Sequence, residues 1–552
     1  MIRKPAWLSM YTFVTFLVPT LAAAPNIAGV ANAASNLTFN SPIAQGAVFV
    51  LYGTGLGPQN ISISPTPFQS TSLSGTSVAV TVNGTTVNAL MYYTSDGQVA
   101  ALLPSNTPTG AGTFTVTYNG QTSNAASHGI AANNVGIFTV DSSGQGPGIV
   151  TYADYSLVSS TKSANCGGPN TTCGAANPGD TLILWATGLG AVNGSDASGA
   201  GLGQAINVPL TLWLGGVQAP VTYQGRSGCC IGEDQIVFTV PNNVPTGCAV
   251  PLVIQIGTTT NTISNTTLLP VANGSRTCTL VNPALASQNF QQLVANGLPI
   301  TFSNPDFEHG FSGSSTGFED DAQFFAIKIL SIQPGTLPFV ATYTDNQPVG
   351  TCIVYSNLNG KSGNPISNYT PLDAGSSVTV KGPNGSVSLP GNGNMITINS
   401  TGTFLVPGTF TLTGTGGADI GPFQASFTIL ALPTLVSPMN NASVTRANGL
   451  TVTWTGGDPS GNVQMVVSSA LDNTFTTGSL AICTAPASAG SFTIPPYVLL
   501  ALPASNFAGF VFGSPFKYTA FTAPGLNFGL IQTRADNAGF GYGAGSGSFA
   551  LK

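Results

Sequence analysis

The sequence contains very little charge. Only 5% of its 552 residues are Asp, Glu, Lys or Arg, against about 25% in an average globular protein. Helix surfaces usually rely on Glu, Lys and Arg, so a chain with few of them is poorly suited to exposed helices. Hydrophobic residues make up 42% of the chain, enough to bury cores, which argues against disorder. The sequence therefore predicts an all-β protein with a surface of Thr, Ser and Asn.

Basic residues and histidines are also scarce. The chain has 12 Lys and Arg against 18 Asp and Glu, so it lacks the clustered cations that nucleic-acid phosphates require. There are two histidines, His128 and His309, and no G-x-S-x-G segment that would hold a nucleophilic serine. We therefore expect no nucleic-acid partner, and we predict that the protein is not an enzyme.

No apolar run long enough to span a membrane follows the first residues of the chain. At the start, Arg3 and Lys4 precede an apolar segment from Trp7 to Val18, and small residues follow it. This layout is typical of a secretory signal peptide, and Ala31-Asn32-Ala33 offers a small-x-small cleavage pattern. We predict a signal peptide over residues 1–33 and a mature chain that is extracellular or held at the cell surface without spanning a membrane.

The chain does contain an internal repeat. Residues 46–57, GAVFVLYGTGLG, align with residues 179–190, GDTLILWATGLG. Further on, LPSNTPTG at residues 103–110 matches VPNNVPTG at residues 240–247. Short strands with turns at near-regular intervals are typical of immunoglobulin-like sandwiches, so the repeat predicts two of them in tandem.

The two copies resemble a known family. The strand-TGLG segments, the hairpin turns at Asn83-Gly84 and Gly215-Gly216, the VP-x-x-x-PTG turn and the GCC-x-x-x-DQIVFTVP segment from Gly228 to Pro241 are similar to the IPT/TIG-type Ig-like repeats of exported acidobacterial proteins, known as the Solibacter uncharacterised C-terminal domain. The resemblance covers roughly residues 36–278. It implies an Ig-like fold and export but no reaction, because the family has no assigned activity.

The remaining sequence predicts two further β domains. Alternating strands flank a turn at Pro383-Asn384-Gly385, and Leu450, Val452 and Trp454 share one face of another strand. One helix is predicted from Pro283 to Asn296, between an Asn N-cap and a Gly stop. The predicted division of the mature chain is Ig-like domain 1 at 34–135, Ig-like domain 2 at 136–279, β-rich domain 3 at 280–432 and β-sandwich domain 4 at 433–552.

Eight cysteines in an exported chain predict disulfide bonds. Cys229, Cys230, Cys248 and Cys278 occur in the second repeat alone, and we predict two bridges among them that staple its enlarged loop to later strands. Neighbouring residues of a strand point to opposite faces, so Cys229 and Cys230 are expected to choose different partners. Zinc is the alternative, but no C-x-x-C pair or nearby histidine supports it.

The other four cysteines are less constrained by the sequence. Cys166 and Cys173 lie close together in a Gly-rich and Asn-rich loop and are expected to close a small ring. Cys352 and Cys483 either join domain 3 to domain 4 or remain free or otherwise paired.

Acidic residues are concentrated in one stretch beside His309. Its members are Asp306, Glu308, Glu319, Asp320 and Asp321. Carboxylates are hard ligands that suit calcium, although no D-x-D-x-D-G loop is present. Solvated acids on an exposed loop are the simplest interpretation, calcium binding is the second, and a glycosidase-like pair of carboxylates is the third.

These observations favour a non-catalytic exported or cell-surface protein that acts as a structural spacer or adhesion module, with an extracellular protein or polysaccharide as partner. A carbohydrate-binding surface protein is the first alternative. It would need exposed aromatics on one sheet face, whereas Trp185, Trp213 and Trp454 fall at strand positions where burial is expected. A secreted hydrolase with β accessory domains is the second alternative, and it would need the acidic residues to line a cleft.

Overall fold

The chain is all-β. The computed structural model describes residues 23–37, 41–66, 68–160, 174–199, 201–257, 262–280, 297–311, 318–332, 346–356, 366–439, 442–472, 477–541 and 549–552. Within these ranges it contains strands β1 to β43, the short helix α1 (Pro496–Leu500) and 3-10 turns at Asp196–Ser198, Arg446–Asn448 and Ala487–Ala489. The all-β prediction is confirmed. The predicted helix from Pro283 to Asn296 and the predicted Cys166–Cys173 ring lie outside the described residues.

The first sandwich is built by the first copy of the repeat. Its strands are β1 (Asn26–Asn32), β2 (Ile43–Ala44), β3 (Val48–Thr54), β4 (Ser62–Ile63), β5 (Ser72–Leu73), β6 (Thr76–Val82), β7 (Thr85–Asn88), β8 (Leu90–Thr94), β9 (Gln98–Leu102), β10 (Gly110–Tyr118), β11 (Gln121–Thr122) and β12 (Ala126–Ala131). One sheet has the order β1-β3-β9-β8-β4, and the other has the order β2-β12-β10-β6-β5. Alternate residues of β6 and β10 face a core that includes Phe49 and Phe114.

Strand β1 corrects the predicted end of the signal peptide. Residues 26–32 pair with β3 in an antiparallel register, and Ile27, Val30 and Ala31 are buried. Cleavage after Ala33 would remove this strand and open the core beneath it. The first sandwich therefore begins ahead of the predicted boundary at residue 34.

The second copy of the repeat also forms a sandwich of two sheets. Its strands are β13 (Gly136–Ile137), β14 (Val150–Thr151), β15 (Thr181–Thr187), β16 (Leu210–Leu214), β17 (Val217–Ala219), β18 (Val221–Arg226), β19 (Asp234–Thr239), β20 (Gly247–Ile256), β21 (Thr262–Ile263) and β22 (Thr267–Val271). Its sheets have the orders β13-β15-β19-β18 and β17-β16-β20-β21, with β14 on β15 and β22 on β20. Residues between Val135 and Val271 form its core.

The predicted hairpin turns are confirmed in both copies. Asn83 and Gly84 join β6 to β7, and Gly215 and Gly216 join β16 to β17. All four residues have positive φ angles, from 49° at Asn83 to 85° at Gly216. Asn and Gly tolerate this left-handed conformation, which the twist of a two-residue hairpin requires.

The rest of the chain forms one large sheet and two small ones. The first part supplies β23 (Ile300–Ser303), β24 (Asp306–Phe311), β25 (Phe318–Gln323), β26 (Ala326–Ile332), β27 (Cys352–Ser356), β28 (Ile366–Pro371), β29 (Ser377–Gly382), β30 (Gly385–Pro390), β31 (Ile396–Asn399), β32 (Gly408–Gly414) and β33 (Phe423–Ile429). The second part supplies β34 (Thr434–Ser437), β35 (Ser443–Val444), β36 (Leu450–Thr455), β37 (Asn462–Ala470), β38 (Gly478–Pro486), β39 (Ser491–Ile494), β40 (Ser505–Gly513), β41 (Lys517–Phe521), β42 (Phe528–Gly541) and β43 (Phe549–Leu551).

The large sheet joins the segments that the sequence assigned to separate third and fourth domains. Its main path is β27-β38-β37-β40-β42-β23-β26-β28, so four strands from beyond residue 433 lie between strands from before it. The small sheets are β30-β29-β32-β33 and β34-β36-β39. The four-domain division remains a prediction, and strands of its last two segments share the large sheet. Sequence alternation predicts the strands and does not reveal which distant strand each one joins.

Local predictions in this region are confirmed. Pro383 and Asn384 connect β29 to β30, and Leu450, Val452 and Trp454 are buried together on one face of β36. Among the described residues, no helix has both the length and the apolar character needed to cross a membrane.

Candidate functional site

The acidic stretch forms a two-stranded ribbon. β24 and β25 pair antiparallel, which places Glu308 opposite Asp321, His309 opposite Asp320 and Gly310 opposite Glu319. Because neighbouring residues of a strand point to opposite faces, Asp320 lies on one face of the ribbon, and Glu308 and Asp321 lie on the other. The five carboxylates therefore do not share one face.

Asp320 has a structural role on its face. Its side chain is fully buried, and Oδ2 accepts hydrogen bonds from the backbone N–H groups of Phe404 (2.7 Å) and Leu405 (3.1 Å). Oδ1 lies 2.7 Å from Nδ1 of His309. With three protein partners, this carboxylate anchors the loop before β32 and has little capacity left for a metal ion or a substrate.

The opposite face of the ribbon also contains Arg534 and Asp536, two charged residues that the sequence analysis did not identify. β42 runs parallel to β24 and places Gln532 beside Asp306 and Arg534 beside Glu308. Nη2 of Arg534 lies 3.2 Å from Oδ1 of Asp536. No sequence signal identifies these partners, because more than two hundred residues separate them from Asp306.

This face holds more carboxylates than cations. Burial and, to a smaller extent, the neighbouring Glu308 raise the pKa of Asp306 to about 8 against the opposing effects of a backbone N–H and Arg534. Burial also raises the pKa values of Glu308 and Asp536. Oδ1 of Asp306 is buried without a hydrogen-bond partner, and Oδ2 accepts one bond, at 3.3 Å, from Gln532. The arrangement favours a protonated Asp306 near neutral pH.

The ribbon does not gather the predicted calcium ligands. Among the described residues, only Cys229, Cys230 and Glu233 bring three potential ligand atoms within 4.8 Å of one another. Calcium binding by the acidic stretch stays a prediction, but Asp320 is no longer among the expected ligands. The cleft that a hydrolase would need involves residues 333–345, which lie outside the described residues.

A separate cleft of about 630 Å³ is lined by residues of β33, β41 and β42 and of the segments that connect strands near them. Thr428, Ser460, Lys517 and Tyr518 contribute to its walls. Nζ of Lys517 approaches the carbonyl oxygen of Thr428 at 3.4 Å. No sequence pattern predicts this cleft, because its walls come from segments far apart in the chain.

The disulfides follow the sequence predictions only in part. Cys248 bonds to Cys278, with Cα atoms 5.1 Å apart, so the second repeat does contain two bridges. The other bridge joins the adjacent residues Cys229 and Cys230, and the prediction of different partners for them is wrong. They lie in a turn between β18 and β19, where the alternation of a strand does not apply.

The remaining pair connects distant segments. Cys352 on β27 lies directly opposite Cys483 on β38, and the two are bonded with their Cα atoms 4.1 Å apart. This bond links the segments on either side of residue 433, which is one of the outcomes that the sequence left open.

The enlarged loop of the second repeat begins and ends at a buried ion pair. Arg226 and Asp234 are 1% and 0% exposed, and Nη1 lies 2.5 Å from Oδ1. Nη2 of Arg226 also donates to the carbonyl oxygen of Gly190 at 3.1 Å, and the Leu189 N–H donates to Oδ2 of Asp234 at 2.8 Å. Burial raises the pKa of Asp234 to about 6 against the opposing effect of Arg226.

This ion pair lies at the joint between the two sandwiches. A Cβ atom on Gly46, in the first copy, would lie 2.5 Å from Nη2 of Arg226. The Val48 N–H donates to Oγ1 of Thr187, and Thr187 donates to the carbonyl oxygen of Gly232. The joint is therefore a buried polar interface that includes the second TGLG turn.

Further contacts extend the joint on both sides. The buried carboxylate of Asp196 accepts hydrogen bonds from the N–H (2.7 Å) and the Oγ (3.1 Å) of Ser105. The hydroxyl of Tyr92 donates to the carbonyl oxygen of Ile231, whose side chain packs on Leu90 and Leu102. The enlarged loop of the second copy thus docks onto the first copy.

The aromatic residues singled out in the sequence have different environments. Trp454 is buried and donates to the Ala487 carbonyl oxygen, and Trp213 stacks on Tyr497 with ring centroids 4.8 Å apart. Trp185 is half-buried and lies beside Tyr155, which is 66% exposed. Their centroids are 6.2 Å apart. His128 is half-buried on β12, and its Nε2 lies 2.9 Å from the Ser41 carbonyl oxygen.

Comparison with known proteins gives no functional assignment. No protein-family model matches the chain, and no curated protein matches it. Among solved structures, the chain is similar to a Bacteroides ovatus surface protein, SGBP-B of a mixed-linkage glucan utilization locus, in complex with a mixed-linkage heptasaccharide (13% identity, TM-score 0.13, 78% of this chain and 80% of that chain). It is also similar to Sidekick-1 immunoglobulin domains 1–4 (11% identity, TM-score 0.12, 96% and 99%). Domains 5–6 of the S-layer protein SbsC give 13% identity, a TM-score of 0.17 and coverage of 46% and 99%. At these identities and TM-scores, the likenesses carry no functional argument.

Proposed function

We propose that the chain is an exported, non-catalytic protein of the cell surface whose tandem Ig-like sandwiches act as a rigid structural spacer or adhesion module. One observation carries the proposal: the two repeats meet through a buried polar joint around Arg226 and Asp234. A flexible linker would need no such joint. The disulfides and the resemblance to repeats of exported acidobacterial proteins support an extracellular setting.

The energetics of the joint favour one fixed geometry. A buried polar group that loses its hydrogen-bond partner costs about 1–3 kcal/mol. A hinge motion between the copies would move Gly46 away from Arg226 and break the hydrogen bonds that Thr187 and Asp196 accept from Val48 and Ser105. The sandwiches therefore keep their relative orientation, which is the property that a spacer requires.

Distance measurements on the intact chain test this rigidity. Spin labels attached without cysteine chemistry at Thr86 and Thr222, which are exposed on different copies, should give one narrow distance distribution. Asp234→Asn should broaden it. Asp180→Asn is the matched control, because Asp180 pairs with Arg276 in the same sandwich at a partly exposed site. A broad distribution in the unmodified chain would contradict the proposal.

Labelling of intact cells tests the compartment. An exported surface protein should react with a membrane-impermeant amine reagent and should be cleaved by protease added outside the cell. Protection from both reagents until the cells are lysed would contradict a surface location. This experiment is independent of the rigidity measurement, so the two parts of the proposal can fail separately.

Carbohydrate binding is the second candidate, and the Tyr155–Trp185 pair favours it. Tyr155 is largely exposed beside the half-buried ring of Trp185, and neighbouring aromatic faces suit the stacking of apolar sugar surfaces. Tyr155→Ala should abolish retention on an insoluble polysaccharide that holds the unmodified chain. Phe507→Ala, which removes another exposed ring, should leave retention unchanged. Equal retention of both variants would contradict this site.

A further inference from the structure

The enlarged loop of the second repeat contains a compact set of soft and hard ligand atoms. Cys229, Cys230 and Glu233 each place one potential ligand atom so that all three lie within 4.8 Å of one another. Sγ of Cys229 is 3.8 Å from Oε2 of Glu233. In the structure the two sulfurs are bonded to each other, so the set is complete as a metal site only after reduction.

The Glu233 carboxylate lacks a cationic partner. The guanidinium of Arg226, at the start of the same loop, is already paired with Asp234. In the part of the chain that the structure describes, Glu233 forms no salt bridge, and the polar approach of its carboxylate is to the sulfur of Cys229. A half-buried carboxylate beside two sulfurs is therefore a favourable place for a cation.

The bridge between Cys229 and Cys230 is open to reduction. Cys229 is exposed, whereas Cys278, Cys352 and Cys483 are buried. A disulfide between adjacent residues closes almost no loop, so it hardly restricts the unfolded chain. Breaking it should therefore change the free energy of unfolding little. Reduction should consequently free these two thiols without unfolding the sandwich.

We propose that reduction of the Cys229–Cys230 bond creates a binding site for a thiophilic divalent cation, with the two thiolates and the Glu233 carboxylate as ligands. A dithiol reductant transfers two electrons and two protons to the sulfurs and is itself oxidised to a disulfide. The incoming cation then displaces both thiol protons. Two thiolates and one carboxylate match the ligand preferences of Zn²⁺ or Cd²⁺, and solvent completes the coordination.

The site lies at the joint, which gives the cation a structural consequence. Ile231, between the cysteines and Glu233, packs on Leu90 and Leu102 of the first copy, and its carbonyl oxygen accepts the Tyr92 hydroxyl. Either the disulfide or the bound cation closes the loop beside this contact. This inference goes beyond the spacer proposal and does not depend on it.

Cadmium titration tests the site on the intact folded chain. After mild reduction with a non-chelating phosphine, peptide mapping should find Cys229 and Cys230 free and the Cys248–Cys278 and Cys352–Cys483 bonds intact. One equivalent of Cd²⁺ should then produce the ultraviolet thiolate-to-cadmium absorption band. The unreduced chain should show no band, and Zn²⁺ should displace the bound Cd²⁺.

Matched variants assign the ligands. The double variant Cys229→Ser/Cys230→Ser should lose the band. Glu233→Gln should weaken Cd²⁺ binding at least about tenfold, the smallest loss that is typical even when an outer partner of a metal site is removed. Glu319→Gln removes a half-buried carboxylate elsewhere and should bind as the unmodified chain does. Three results would each overturn the proposal. They are free thiols that give no band, a band that persists in the double variant, and reduction of the Cys229–Cys230 bond only together with the other two disulfides.

Discussion

Arg226 fills the space that a side chain on Gly46 would occupy. A Cβ atom there would lie 2.5 Å from Nη2 of Arg226 and 2.9 Å from the Gly190 carbonyl oxygen. Gly46 also has a φ of 69°, a left-handed conformation that costs other residues about 1–2 kcal/mol. The joint between the copies thus depends on the absence of a side chain at this position.

Gly46→Ala should therefore destabilise the chain more than an alanine at a comparable turn does. Gly84 has a φ of 80° with no atom within 4 Å of an added Cβ, so Gly84→Ala measures the backbone strain alone. We expect Gly46→Ala to lower the free energy of unfolding by about 1–3 kcal/mol more, the usual cost of overpacking. Urea denaturation of both variants measures the difference, and equal losses would show that the joint can relax.

Asp306 should make stability fall as the pH rises. Its folded-state pKa of about 8 exceeds the ordinary value of 3.8, so the folded chain binds a proton that the unfolded chain releases between these values. The free energy of unfolding should decrease across this window, by at most about 1.4 kcal/mol per pH unit from this group. Arg534 and Glu308 are the charged groups that face it.

Asp306→Asn should flatten this dependence and raise the melting temperature at pH 8 relative to the unmodified chain. Glu319→Gln, on the neighbouring strand of the ribbon, is the control for loss of a single negative charge. Thermal denaturation from pH 4 to pH 8 provides the comparison. A slope that persists in Asp306→Asn would assign the effect to another group.

Asp320→Asn should loosen the loop before β32. An amide oxygen is a weaker acceptor than a carboxylate, and loss of hydrogen bonds to a charged acceptor costs about 1.5–3 kcal/mol. Hydrogen exchange should accelerate at the Phe404 and Leu405 amides, which donate to Oδ2 of Asp320. Asp321→Asn, on the other face of the ribbon, should leave both amides protected. Fast exchange in both variants would mean that the whole ribbon has opened.

A chain that begins at Ala34 should be much less stable than one that begins at Ala23. The shorter chain lacks β1, including the buried side chains of Ile27 and Val30, and each such side chain contributes about 1.5–3 kcal/mol when buried. Asn32 would also be lost, and its Oδ1 accepts the Ala34 and Ser35 N–H groups. Thermal denaturation compares the two chains, and N-terminal sequencing of the protein isolated from its cells should find residue 26 retained. Equal melting temperatures would contradict a structural role for β1.

Local features of the fold were predictable because their signals are local. Asn83-Gly84 and Gly215-Gly216 identify their hairpins through backbone chemistry, and alternation identifies the buried face of β36. The Cys229–Cys230 bond was not predicted because neighbouring side chains point to opposite faces in a strand, whereas these two cysteines lie in a turn. Arg534 and Asp536 were missed because nothing near Asp306 encodes the approach of β42. Sequence patterns specify which residues are buried, whereas partners across long separations depend on the complete topology.

The parallel pairing of β24 with β42 has a consequence for the order of folding. Asp306 meets Gln532 across this pair, so this edge of β24 has no partner until a strand more than two hundred residues later has left the ribosome. Contacts of such high sequence separation form slowly, and an unpaired strand edge invites association with other chains. The two N-terminal sandwiches can fold during synthesis, whereas the C-terminal half cannot complete its large sheet before β42 is made. Truncation anywhere between residues 332 and 528 should therefore yield aggregates and not a shorter soluble protein.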